Sequence, residues 1–119
     1  MHLFKGRYYL SYSHGGWRHA SYSVHYATAD SPTGPWTYRG PLLTSDATRK
    51  GPGHHSFLRD PRTGDWLIVY HRWDNQKGDG PYRGSRQICI DRLKYDPDGL
   101  IRPVVMTGGV EPAVAPAAN

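Results

Sequence analysis

Two adjacent histidines, His54 and His55, follow a glycine-rich stretch and open the segment that carries the most chemistry. That segment, residues 51–72, reads GPGHHSFLRDPRTGDWLIVYHR and predicts two extended runs joined by a reversal at DPRTG. Neighbouring side chains on a strand point to opposite faces, so only one of the two histidines faces a given site. The apolar run WLIVY is typical of a buried strand and delivers His71 and Arg72 at its far end. Polar groups at the ends of a stiff hairpin are typical of a site built on a rigid scaffold.

Short strands joined by tight turns must position these residues. Apolar and polar residues alternate along several short runs, and no long stretch shows helical periodicity. Three turns of similar composition, DSPTG, DPRTG and DPDG, recur along the chain as a weak internal repeat. Strands are predicted over residues 7–13, 21–28, 36–39, 55–59, 66–71, 87–95 and 101–106. The pattern predicts an all-β chain.

Composition bounds the class of protein. A length of 119 residues corresponds to one small domain at most. The formal net charge is +5, but the Lys and Arg residues are scattered and form no basic stripe, so we expect no nucleic-acid partner. We also expect no membrane contact, because no apolar run is long enough to span a bilayer. The single Cys89 and the residues after Met1 indicate no particular cellular location.

Three stretches, in order along the chain, resemble the C-terminal part of glycoside hydrolase family 43. They are residues 22–36 (YSVHYATADSPTGPW), 51–72 and 86–100 (RQICIDRLKYDPDGL). The family consists of five-bladed β-propellers that cleave β-xylosides, α-L-arabinofuranosides or arabinan. The resemblance implies that residues 1–107 form about two four-stranded blades of an incomplete five-bladed β-propeller. Residues 108–119, rich in Ala and Pro, are expected to be a disordered tail.

The carboxylates do not match those of the family. Its members invert configuration and use an Asp base, a second Asp that positions and tunes, and a Glu acid. The one glutamate here, Glu111, lies in the Ala/Pro tail, and most aspartates lie in turns. Asp74 and Asp79 lie at or in a flexible-looking loop, and Asp91 is in the middle of a strand. We therefore expect a fragment that has no catalytic residue of its own and whose partner is the missing N-terminal blades.

Four residues are candidates for contact with a ligand or an ion. His54 matches the family's histidine near the propeller axis, which helps to hold a hydrated cation, often calcium; since calcium prefers oxygen, water must supply the other ligands. Arg86 matches an arginine that reaches into the pocket and binds substrate through directed hydrogen bonds. His71 either lies beside the site or merely ends its strand, and Trp17 either stacks on a sugar or packs in its loop. A structural histidine and a solvated arginine are the alternatives for His54 and Arg86.

These expectations combine into one functional prediction. The chain is the C-terminal portion of a glycosidase, inverting when complete, that acts on arabinose- or xylose-containing plant polysaccharides. The alternative is a non-catalytic carbohydrate-binding or assembly module made from the same blades.

Overall fold

The chain folds into two antiparallel β-sheets, and the computed structural model describes residues 1–108 of it. The first sheet has four strands in sequence order: β1 (His2–Phe4), β2 (Arg7–His14), β3 (Ser23–Ala29) and β4 (Thr37–Leu43). The second has three: β5 (Arg49–Arg59), β6 (Trp66–Asp74) and β7 (Gln87–Arg92). No helix within residues 1–108 is long and apolar enough to cross a membrane.

The second sheet differs from the prediction of four strands, because residues 101–106 do not form a strand. Ile101 makes only an isolated bridge with Tyr95. The chain then crosses to the first sheet, where the Val104 N–H donates to the Leu42 carbonyl at 2.8 Å. Met106 is buried in the core. The apolar alternation of this segment therefore reflects packing against the core, which a sequence pattern does not distinguish from strand pairing.

The three turns of similar composition are confirmed and lie at one end of the sheets, here called the turn end. In one of them the Arg62 N–H donates to Asp60 Oδ1 at 2.9 Å, and the Gly64 N–H donates to the Asp60 carbonyl at 2.7 Å. Gly64 has φ 78°, a left-handed conformation that glycine adopts without strain. Backbone hydrogen bonds also close the turns at residues 31–34 and 96–99.

One face of each sheet packs against the other to form the core. The first sheet contributes Tyr9, Val24 and Tyr26, and the second contributes Ile68 and Tyr70, all almost fully buried. Burying one large side chain of this kind stabilises a fold by about 1.5–3 kcal/mol. The inner faces therefore fix how the two sheets, and the loops that leave them, lie relative to each other.

The outer face of each sheet carries exposed apolar side chains. On the first sheet they are Leu3, Leu10, Tyr12 and Tyr38, and on the second they are Leu58 and Ile88. Ile88 is 70% exposed. Clustered apolar side chains on a surface are typical of a face that another structural element covers.

Candidate functional site

The four candidate residues lie together at the end of the sheets opposite the turns, here called the loop end. Loop 15–22 joins β2 to β3 and carries Trp17, and loop 75–86 joins β6 to β7 and carries Arg86. His54 and His71 lie in the adjacent strands β5 and β6. A row of contacts and charge interactions runs from Trp17 through Arg86 and His71 to His54.

His54 is presented by an irregular stretch of β5. The pairing with β6 shifts register on both sides of Gly53, which lies opposite His71. His54 itself has φ 52°, in a region that residues with side chains rarely adopt. Its N–H donates to Ser13 Oγ at 3.0 Å, while its exposed ring lies 5.4 Å from the His71 ring, centroid to centroid. Strained backbone that presents a side chain in this way is concentrated at binding sites.

His55, the neighbour of His54, points toward the first sheet. Its Nε2 lies 2.7 Å from Ser11 Oγ. Burial, and to a smaller extent nearby positive charge, lowers the pKa of His55 to about 4. The two adjacent histidines therefore have different surroundings, although the irregular backbone at His54 differs from the regular strand alternation that was expected.

The ring of His71 is half-buried beside His54. Burial lowers the pKa of His71, and the charges of Arg86 and His54 lower it further, so the ring is neutral at pH 7. Its Nδ1 is buried and has no hydrogen-bond partner among residues 1–108. A buried polar atom without a partner costs about 1–3 kcal/mol. The buried Nδ1 atoms of His2 and His55 are unpaired in the same way.

Trp17 and Arg86 form the other half of the row. The Arg86 guanidinium carbon lies 4.9 Å from the centroid of the Trp17 ring, which is a cation–π distance. Trp17 is 50% exposed, so part of the residue stays open to solvent although Arg18 and Trp73 also lie against its ring. An aromatic ring beside a guanidinium is suited to a sugar. The C–H groups of the sugar can pack on the ring, and its hydroxyls can accept hydrogen bonds from the guanidinium N–H groups.

Comparison with known proteins identifies the family to which this arrangement belongs. Residues 2–101 match the model of Glycosyl hydrolases family 43. The chain belongs to glycoside hydrolase family 43. The matched range contains all seven strands and all four candidate residues, and it confirms the resemblance carried by the three short stretches.

Two relatives and a solved structure show how much of a family 43 protein the chain represents. It is 43% identical over 109 residues to the β-D-galactofuranosidase xynD of Aspergillus niger, covering 89% of this chain and 31% of that protein. It is 36% identical over 101 residues to a xylosidase/arabinosidase of Bacteroides ovatus, covering 85% and 28%. The crystal structure of a thermostable family-43 glycoside hydrolase matches with a TM-score of 0.76 at 30% identity, covering 92% and 35%. The chain thus spans about a third of these proteins, and its two sheets are part of a family 43 propeller.

The family 43 cation site can be tested against the residues present. Within residues 1–108, no three His, Cys, Asp or Glu side chains are grouped so that they could hold a metal ion. Calcium takes six to eight oxygen ligands, whereas His54 and His71 offer only ring nitrogens. These residues do not make a calcium site by themselves. His54, with its exposed ring, can supply one contact to a hydrated cation whose other ligands are oxygens from elsewhere.

The described carboxylates that make side-chain contacts serve turns, ion pairs or, in the case of Asp91, a buried hydrogen-bond network. Asp91 is buried and accepts hydrogen bonds from the Tyr70 hydroxyl at 2.6 Å and from Thr107. Asp74 accepts from Arg72 Nε at 2.8 Å. No contact recorded within residues 1–108 links a carboxylate to the row of four candidate residues, and Glu111 lies outside the described residues.

Three residues that the sequence pattern did not single out, Trp73, Tyr82 and Arg18, form the surroundings of Trp17. Trp73 and Tyr82 are each 2% exposed, with ring centroids 5.8 Å apart. Trp73 Nε1 donates to the Trp17 carbonyl at 3.0 Å. Arg18 donates from Nε to the Tyr82 carbonyl. Trp73 continues the aromatic pattern of β6 and was within reach of sequence reasoning, but the contacts of Arg18 join distant parts of the chain and leave no local signal.

Proposed function

We propose that this chain forms the substrate-binding part of a glycoside hydrolase that acts on arabinose- or xylose-containing plant polysaccharides. The observation that carries the proposal is the row of Trp17, Arg86, His71 and His54 in a member of family 43. Arg86 donates hydrogen bonds to sugar hydroxyls, and Trp17 stacks on the sugar ring. The half-buried ring of His71 packs beside the sugar.

The complete enzyme inverts the anomeric centre with a carboxylic acid that protonates the leaving oxygen and a carboxylate that activates water. Both groups come from polypeptide outside this chain. His54 contributes a ring nitrogen, through bound water, to a hydrated cation such as calcium. That cation supplies a fixed positive charge close to the sugar.

The partner of this chain is the rest of the propeller. The apolar outer faces of both sheets support this assignment, because neighbouring blades of a propeller pack face to face. A repeat architecture generally needs about three units before it is stable, so two sheets alone should self-associate. Size-exclusion chromatography should show oligomers of the isolated chain and a single complex when the missing blades are co-expressed. A stable monomer in isolation would contradict this partner assignment.

A hybrid enzyme provides the test of function. The part of the Aspergillus niger relative that precedes its matching region is fused to this chain and assayed on aryl arabinofuranosides, xylosides and galactofuranosides. The third substrate is included because that relative is named for it. Hydrolysis that is lost with Arg86→Ala, but kept with the surface variant Arg62→Ala, supports the proposal. An active hybrid that is indifferent to Arg86→Ala refutes the role given to the site.

A non-catalytic glycan-binding module is the second candidate. The engagement of Asp74 and Asp91 in structural contacts favours it. In that case the hybrid should bind the same oligosaccharides, lose binding with Arg86→Ala and release no product, even though it contains the catalytic carboxylates of the relative. Product release from the hybrid would exclude this candidate.

A further inference from the structure

Reciprocal hydrogen bonds join the two loops that carry Trp17 and Arg86. Arg18 Nε donates to the Tyr82 carbonyl at 2.9 Å, and the Tyr82 N–H donates to the Arg18 carbonyl at 2.7 Å. The Ala20 N–H adds a third bond, to the Asp79 carbonyl, at 3.1 Å. Loop 15–22 of the first sheet and loop 75–86 of the second are therefore tied together along their backbones.

Glycine permits this close approach of two backbones. A Cβ on Gly80 would lie 2.4 Å from the Arg18 carbonyl oxygen, far inside van der Waals contact. Gly80 also has φ 97°, which disfavours any residue with a side chain. Gly51 is a second such point, since a Cβ there would lie 2.8 Å from the His19 carbonyl oxygen.

The joined loops rest on a buried aromatic base. The Tyr82 hydroxyl donates to the Gly78 carbonyl at 2.6 Å and so fixes the path of its own loop. Trp73 packs against Tyr82 on one side and against the Trp17 ring on the other, with a Trp73–Trp17 centroid distance of 6.2 Å. The half-exposed Trp17 is therefore the outer member of an aromatic cluster whose inner members, Trp73 and Tyr82, are buried.

We propose that Arg18 is a positioning residue that ties the two loops together and holds Trp17 and Arg86 as one preformed surface for a sugar ring. Its guanidinium carbon lies 5.8 Å from the Trp17 ring centroid while its Nε binds the Tyr82 carbonyl. Arg18 is thus the one side chain among residues 1–108 recorded in contact with both the Trp17 ring and the backbone of loop 75–86. A surface that is ordered before binding does not lose conformational freedom when the sugar arrives, and affinity rises accordingly. The inference rests on the proposed function of Trp17 and Arg86 in sugar binding.

Hydrogen exchange tests the tie between the loops without reference to sugar. The amides of Ala20 and Tyr82 report it, because each donates to the other loop. In the chain co-expressed with the missing blades, Arg18→Ala should speed exchange of both amides by about tenfold or more, and Arg18→Lys, which lacks the Nε donor, should do nearly the same. The matched control is Arg102→Ala, which removes an exposed guanidinium bonded to Asp96 at the turn end. Gly80→Ala should reproduce the effect without altering Arg18.

Kinetics of the hybrid enzyme test the consequence for the sugar. Arg18→Ala should raise KM by about three- to thirtyfold with kcat nearly unchanged, as expected when ground state and transition state lose the same binding. Unchanged exchange in both Arg18→Ala and Gly80→Ala overturns the proposal whatever happens to KM. Faster exchange with unchanged KM overturns the positioning role, and Arg86→Ala then shows whether the proposed function survives. An inactive hybrid contradicts only the proposed function. The exchange experiment then tests by itself whether Arg18 holds the two loops together.

Discussion

The loop end and the turn end of the molecule contain the same kinds of side chain in different surroundings. At the turn end His2 is 7% exposed, stacks on Tyr9 at 4.9 Å and bonds through Nε2 to the Tyr95 hydroxyl at 2.7 Å. At the loop end the ring of His54 is exposed, and its nitrogens have no hydrogen-bond partner within residues 1–108. An imidazole that is packed and bonded stabilises the fold, whereas one held open on strained backbone is available to a ligand.

The connections at the two ends differ in the same way. Those of the turn end are short and closed by bonds a few residues apart, such as Gly99 N–H to the Asp96 carbonyl at 2.8 Å. Two of the loop end, 15–22 and 75–86, are longer and bonded to each other, as in the pair of Arg18 and Tyr82. Loops fixed on a rigid scaffold are where proteins place binding groups. This difference supports the proposal that the loop end binds the ligand.

Hydrolysis of glycosides by this chain alone would contradict the view that the loop end only binds substrate. We expect no turnover of aryl xylosides or arabinofuranosides, because each missing acid or base group forfeits about 10²–10⁴-fold in rate. The purified 119-residue chain would be assayed in whatever oligomeric state it adopts, with Asp74→Asn, Asp79→Asn and Asp91→Asn as variants. Turnover that any of these abolishes would show that the catalytic carboxylates lie within the chain after all.

Substitution of Arg86 tests whether the loop end contacts the substrate. In the hybrid enzyme, Arg86→Ala should lower kcat/KM by about 10- to 1,000-fold, the loss expected from one charge-assisted hydrogen bond or from one that leaves a partner unpaired. Arg62→Ala is the matched control, since Arg62 lies in a turn and its side chain is 65% exposed. Equal and small effects of the two substitutions would place Arg86 outside the pocket.

A pair of histidine substitutions compares the two ends directly. His2→Ala should lower the free energy of unfolding by about 2–4 kcal/mol, because it removes a buried ring and leaves the Tyr95 hydroxyl without a partner. His54→Ala removes an exposed ring and should change stability by less than about 0.5 kcal/mol. Urea unfolding of the assembled protein measures both. Similar losses from the two variants would show that His54 is a structural histidine.

The turn end could be predicted from sequence and the loop end only in part, for a physical reason. Asp60 and Gly64 form a turn through bonds within a few residues, so local composition suffices. Gly53 lies inside β5, where a Cβ would come 2.1 Å from the Tyr22 ring. That need for space comes from a distant segment, as does the contact between Arg18 and Tyr82. The family resemblance identified Arg86 and His54, but neither it nor the pattern indicated what holds them.

The smallest expected difference between the two ends is in how stability depends on pH. Burial, together with the nearby N-terminal charge, lowers the pKa of His2 to about 4 from its ordinary value of 6.5. The folded state therefore binds fewer protons at His2 than the unfolded state does, so His2 costs no stability above about pH 6.5 and an increasing amount as pH falls toward 4. His55, shifted in the same direction, adds to this loss. Urea midpoints measured between pH 7 and pH 4 should fall, and His2→Phe, which keeps an aromatic ring but cannot titrate, should make the fall shallower. The exposed substitution Val105→Ala is the control and should leave the slope as it is; a slope that does not respond to His2→Phe would show that His2 is not the cause of the fall.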